Sequence, residues 1–92
     1  MDTIASNPRL SAASQKFLSS EHLLLIDGKW VPAKSGKTFA VVDPSSGGPI
    51  ARVAEADAAD VDAAVAAARR AFDSGPWARM APSQRGKLLW RL

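Results

Sequence analysis

Residues 57–72 read DAADVDAAVAAARRAF, and the rest of the chain is placed around this stretch. At 100° per residue, Val61, Ala64, Val65, Ala68 and Phe72 fall within an arc of about 100°, while Asp62, Ala66, Arg70 and Asp73 lie opposite. Asp57 suits the N-cap position because its carboxylate can accept hydrogen bonds from the free amides of the first turn. Asp60 adds negative charge where the helix dipole favours it. The outward alanines raise helix propensity without demanding burial. Ser74-Gly75-Pro76 then ends the helix.

Toward the N-terminus the pattern changes to short strands. Leu23-Leu24-Leu25-Ile26 and Lys29-Trp30-Val31 flank Asp27-Gly28. Asp-Gly between two β-prone runs predicts a two-residue hairpin, because a type I′ turn needs positive φ at both central residues. Pro32 stops that strand, since it cannot donate to a ladder. Ser35-Gly36-Lys37 makes the next turn, and Thr38 to Val42 reads as a strand rich in β-branched and aromatic residues. Asp43 to Gly48 is a loop by composition, and Pro49 to Glu55 a further strand antiparallel to the one before it. Residues 1–22 are rich in Ser and Ala and read as a flexible N-terminal tail.

Toward the C-terminus, Pro82 takes the first position of a second helix, on which Arg85, Leu88, Leu89 and Leu92 share one face. The chain stops on that face with no glycine cap, proline or polar tail. A helix halted in mid-pattern reads as a sequence cut within a helix rather than finished. No internal repeat is present.

Length and composition exclude several functions. The chain has 92 residues with 12 Lys+Arg, nine Asp+Glu, one His and no Cys. It is one domain at most. Without Cys there is no disulfide framework, thiol nucleophile or thiolate zinc site, and one His cannot build a His-only metal centre. Apolar residues at 47% and charged residues at 23% describe an ordinary soluble protein. The net charge of +3 is scattered among acids, whereas phosphate-tracking proteins need a concentrated patch. Even in the dense stretch, Arg85 sits about 200° around the helix from Lys87. Nucleic acid is therefore not an expected partner. No apolar run approaches the roughly 20 residues of a membrane helix, and residues 1–22 lack the apolar core of a secretory signal. Arg9, Lys16 and the serines fit a mitochondrial presequence less well than a plain tail, given Asp2 and Glu21. The expected location is the cytoplasm.

No motif carries chemistry by itself. Ser35-Gly36-Lys37-Thr38 resembles the end of a phosphate-binding loop, but the earlier glycine that such a loop needs is Val31 here, and a strand rather than a helix follows. No Gly-x-Gly-x-x-Gly occurs. His22 stands alone beside Glu21 and reads as solvated. Asp57, Asp60 and Asp62 are explained by capping. The serines have no His arranged to activate them. Trp30, Trp77 and Trp90 lie in different elements and read as packing anchors.

Read together, the segments resemble the start of the aldehyde dehydrogenase superfamily. The matching pieces are residues 26–31, IDGKWV, and 39–47, FAVVDPSSG, followed by 50–56, IARVAEA. Residues 60–72 and 77–91, the latter with Arg85-Gly86-Lys87-Leu88-Leu89, complete the set. Order and spacing agree over about residues 24–92. The resemblance implies an α/β fold in which residues 23–92 form N-terminal β-hairpins and the first helices of a cofactor-binding domain, incomplete in this chain. Its helices would pack on a parallel sheet supplied by later sequence.

The resemblance also implies an activity for the complete protein. Members oxidise aldehydes to carboxylic acids with NAD or NADP. A cysteine thiol attacks the carbonyl, hydride leaves to the nicotinamide, and water activated by a glutamate hydrolyses the thioester. These groups lie beyond position 92 in such proteins. The catalytic, cofactor-binding and metal residues expected within this chain are therefore none, and the 92 residues alone are expected to be inactive and to bind no cofactor. Some members hold a monovalent cation partly with backbone carbonyls of the strand matching Val41-Val42, but no ligand set is assigned here. The complete protein would form homo-oligomers. The alternative is a small non-catalytic module that docks on a full-length dehydrogenase subunit through its exposed helix faces. Either way the short chain is expected to be only partly folded, since each large side chain left uncovered forgoes about 1.5–3 kcal/mol.

Overall fold

The computed structural model describes residues 7–92. Asp-Gly does what its backbone freedom allows: Asp27 and Gly28 sit at φ 54° and 74°, the two positive values of a type I′ turn. That turn joins β1 (Leu24–Ile26) to β2 (Lys29–Val31), pairing Leu24 with Val31 and Ile26 with Lys29. A second antiparallel ribbon follows, β3 (Thr38–Val42) against β4 (Pro49–Ala54), with Thr38 opposite Ala54 and Val41 opposite Ala51. The register shifts between Val41 and Val42, so that Val42 pairs with Pro49 at the ribbon's tip. The tip is closed by Asp43, whose side chain accepts from the Ser45 amide at 3.0 Å and the Ser46 hydroxyl at 2.9 Å.

The chain then enters α2 (Ala58–Ser74), capped by Asp57 as the sequence predicts. It ends at Gly75 in an extended conformation, φ −71° and ψ 163°, rather than with a left-handed glycine. Glycine is still needed there, because a Cβ would lie 2.5 Å from the Ala71 carbonyl oxygen. A short helix absent from the sequence reading, α3 (Pro76–Arg79), precedes α4 (Pro82–Trp90). Pro82 opens α4, and the Gln84 side chain accepts from the Ala81 amide at 3.3 Å.

Part of the stretch expected to be a loose tail is helical: α1 spans Ala12–Ser19. The first six residues of that stretch, Asp2 among them, lie outside the described residues. The Ser-Ala composition that suggested a tail also supplies caps. Ser11 accepts from the Ser14 amide at 3.1 Å, and Gln15 reaches back to the carbonyls of Asn7 and Leu10 at 3.0 and 2.9 Å. His22, also placed in the tail by the sequence, bridges to Val53 in parallel. Its carbonyl accepts from the Ala54 amide at 2.8 Å. This bridge ties the start of the first hairpin to the second ribbon.

The elements make little core. Ala33 is the buried hydrophobic residue among those described. The radius of gyration is 17.7 Å, against about 12 Å for a compact domain of this length. What holds the arrangement is chiefly hydrogen bonding at turns, caps and ladders, which contributes only about 0.5–1.5 kcal/mol net per bond.

Candidate functional site

Asp60 is the buried charged residue among those described, at 3% exposure, and buried charges are normally paired or fully hydrogen-bonded. Its carboxylate accepts from two backbone amides, Asp57 at 3.0 Å and Lys34 at 3.1 Å. Asp57 in return accepts from the Ala59 and Asp60 amides. The bond from the Asp57 amide does most to hold the Asp60 carboxyl below its ordinary value; burial opposes it, and the Lys34 amide and charge assist. The Asp43 carboxyl is held down likewise, first by the Ser45 amide and then by the Ser46 hydroxyl. Both carboxylates serve the backbone. Neither is free to act as a base or ligand.

The other residues singled out by the sequence also fall to structural roles. Gly36 turns at φ 73° and Thr38 opens β3, so Ser35-Gly36-Lys37-Thr38 runs into a strand and not into a helix. The His22 ring packs at 4.7 Å from that of Phe17. The tryptophans depart from expectation: Trp30, Trp77 and Trp90 are exposed, Trp90 at 91%. Arg85, read from the sequence as part of a helix face, is half-buried and donates to the Met80 carbonyl at 3.0 Å, closing the end of α3. No sequence signal pointed to that bond, since α3 itself is only one turn long.

The described residues hold no group of three or more His, Asp or Glu that could bind a metal. A groove of about 560 Å³ runs between the end of α1 and the second ribbon, past Leu18, Glu21, Thr38, Ala40, Ile50 and Arg52. It is open, and its Arg52 guanidinium is already bonded to Thr38. Nothing in it converges on a ligand.

The helices offer a surface instead. α2 turns its alanines, Ala64, Ala67, Ala68 and Ala71, toward Leu25–Gly28 of the first hairpin. Arg70 adds an ion pair to Asp27 at 3.6 Å. The larger side chains of its apolar arc point away. Val61 and Val65 are exposed, and Phe72 is 75% exposed. On α4, Leu88 and Leu89 are open as well, as is Leu92 just beyond its end. The accessible surface is 7377 Å², where a folded monomer of this mass has about 5,100 Å². Patches of this extent mark contact surfaces. The candidate site among the described residues is therefore a surface spread over α2 and α4.

Comparison with known proteins gives these faces a context. The model of the aldehyde dehydrogenase family matches residues 30–92. A mitochondrial benzaldehyde dehydrogenase of Antirrhinum majus is 57% identical over 68 residues, which is 74% of this chain and 13% of that protein. A mitochondrial aldehyde dehydrogenase of Arabidopsis thaliana, family 2 member B4, is 46% identical over 86 residues, covering 88% of this chain and 16% of the relative. Among solved structures, the NAD+ complex of an aldehyde dehydrogenase from Bacillus cereus superposes with a TM-score of 0.78 at 44% identity. That match covers 84% of this chain and 16% of the other. The NAD+ complex of a Mycobacterium tuberculosis aldehyde dehydrogenase gives 0.66 at 46% identity, over 73% of this chain and 14% of that one. The chain thus spans between 13% and 16% of the length of these proteins.

Proposed function

Because the chain belongs to the aldehyde dehydrogenase family, we propose that it is the N-terminal portion of an oxidoreductase that oxidises an aldehyde to a carboxylic acid with NAD or NADP. The observation that carries this reading is the coincidence of two facts. The chain matches its relatives at their N-terminal region in fold, and it exposes apolar side chains on α2 and α4.

The residues present do not fit a dinucleotide. A pyrophosphate site needs convergent backbone amides at a helix N-terminus or unpaired polar groups. The Asp57 carboxylate at the start of α2 already occupies its first-turn amides. No buried side-chain polar atom among the described residues lacks a partner. We therefore assign the cofactor and the chemistry to sequence outside these 92 residues, and derive no catalytic step from them. The role of this segment is scaffolding. Its hairpins and helices would form the outer part of the cofactor-binding domain, and the complete protein would assemble as a homo-oligomer.

The test is the intact mass of the protein captured from its native cells with an antibody to residues 57–73. A species several times larger than 9.7 kDa that reduces NAD+ or NADP+ when given aldehydes would bear the proposal out. A species of 9.7 kDa that co-purifies with a larger homologous subunit would replace it with the docking module.

A further inference from the structure

We propose that Asp27-Gly28 is a site of spontaneous backbone isomerisation, converting Asp27 to an isoaspartyl residue through a succinimide. The reaction asks for a side-chain carboxyl next to an unhindered, unoccupied backbone amide, and the tip of the first hairpin supplies both. Gly28 has no Cβ, and a side chain built there would meet nothing within 4 Å. The hairpin register pairs Ile26 with Lys29, which leaves the Gly28 amide outside the ladder. Both tip residues are exposed, and Asp27 is held at φ 54°, in the left-handed region that L-residues seldom occupy. The ring needs the Asp27 backbone to rotate, and strands of three residues with little buried surface open easily.

The step balances without a co-reactant other than water. The Gly28 nitrogen attacks Asp27 Cγ, a C–N bond forms, and the carboxyl hydroxyl departs with the amide proton as water. Water then opens the ring. Attack at Cγ restores aspartate, whereas attack at the Asp27 backbone carbonyl carbon routes the chain through the side chain. One water leaves, one enters, and nothing is oxidised. The product has one more backbone atom at a turn that tolerates only two residues, so the pairing of β1 with β2 is lost. The Asp27 carboxylate also leaves its place beside Arg70.

The other described aspartates lack the combination. Asp43 precedes Pro44, which has no N–H. Asp57 precedes Ala58, whose Cβ crowds the amide, and Asp60 precedes β-branched Val61, whose amide donates to the Asp57 carbonyl. Asp62 and Asp73 precede residues inside α2, whose amides are bonded along the helix.

Purified protein held at neutral pH in heavy-oxygen water tests the proposal, with trypsin releasing residues 17–29 for mass analysis. The expected result is label uptake at Asp27 several-fold faster than at any other aspartate. It should be accompanied by a peptide of the same residues that accepts a methyl group from an S-adenosylmethionine-dependent isoaspartyl methyltransferase. Asp27→Asn, which also tolerates positive φ, should form the same ring faster and release ammonia, while Asp27→Glu should take up no label at this position. Uptake at Asp27 no faster than at Asp57 or Asp62, or methyl acceptance that survives Asp27→Glu, would overturn it.

Discussion

The first and last turns of α2 belong to one helix of 17 residues, yet they are held by different means. At the first turn Asp60 is 3% exposed and bonded to the backbone on both sides, beside buried Ala33. At the last turn Phe72 stands 75% exposed, with the Arg69 guanidinium 5.6 Å over its ring. An ion pair from Arg69 to Asp73 spans the surface at 3.5 Å. The start of the helix closes on groups that the chain itself contains. The end and the open arc present apolar surface to nothing. Local hydrogen-bond chemistry can be completed by a short segment; burial requires volume that it lacks.

The sharpest way to break this contrast is Val65→Asp, made in the short chain and in the complete protein. Val65 is 61% exposed here, so the 92-residue chain should change by no more than about 0.5 kcal/mol. In the complete protein a covered Val65 would become an unpaired buried charge and cost about 3 kcal/mol or more, read from urea denaturation. Equal, small effects in both would show that the arc is never covered.

Next in size is Asp60→Ala, which removes the acceptor shared by the Lys34 and Asp57 amides. Hydrogen exchange at Lys34 should quicken on the order of tenfold to a hundredfold, while the amides of β1 and β2 stay as they were. Acid should do the same reversibly. The folded carboxyl lies below its ordinary value of 3.8, so the contribution of Asp60 is fully present above that value. It is lost as pH falls through the lower, folded value. Protection at Lys34 that rose on acidification would contradict the assignment.

The smallest expected effect is a gain. Gly86 lies in the interior of α4, and a Cβ there meets nothing within 4 Å. Gly86→Ala should therefore stabilise α4 in the short chain by about 0.5–1 kcal/mol, measured as helicity by circular dichroism. A loss in the complete protein alone would mean that another element closes on Gly86 there.

Much of this architecture was legible in the residues, for reasons that are local. Asp27-Gly28 dictates its turn through φ, Asp57 its cap through hydrogen bonding, and Pro82 its helix start through a missing amide. β4 came out one residue shorter than expected, ending at Ala54 rather than Glu55. What stayed hidden was non-local or masked by composition. The Ser-Ala stretch concealed α1, whose stability rests on the reach of Gln15 to Asn7 and Leu10. The partner of Asp60, an amide 26 residues earlier, has no signature, and neither does the Arg85 bond to Met80. Periodicity drew an apolar arc on α2, yet its large members Val61, Val65 and Phe72 are exposed, and Ala64, Ala67, Ala68 and Ala71 are what meet the hairpin. As for a reactive centre, residue types and spacing pointed to no set of residues.

The bond from Lys34 to Asp60 closes a ring of chain around the whole β3–β4 ribbon. Such a ring makes the ribbon a cassette whose ends are fixed independently of its contents. Lengthening its tip adds entropy to the loop only slowly, about 0.6 kcal/mol for each doubling. A reporter peptide spliced between Gly47 and Gly48 would thus hang from the molecule like a charm from a clasped bracelet, with the clasp left shut.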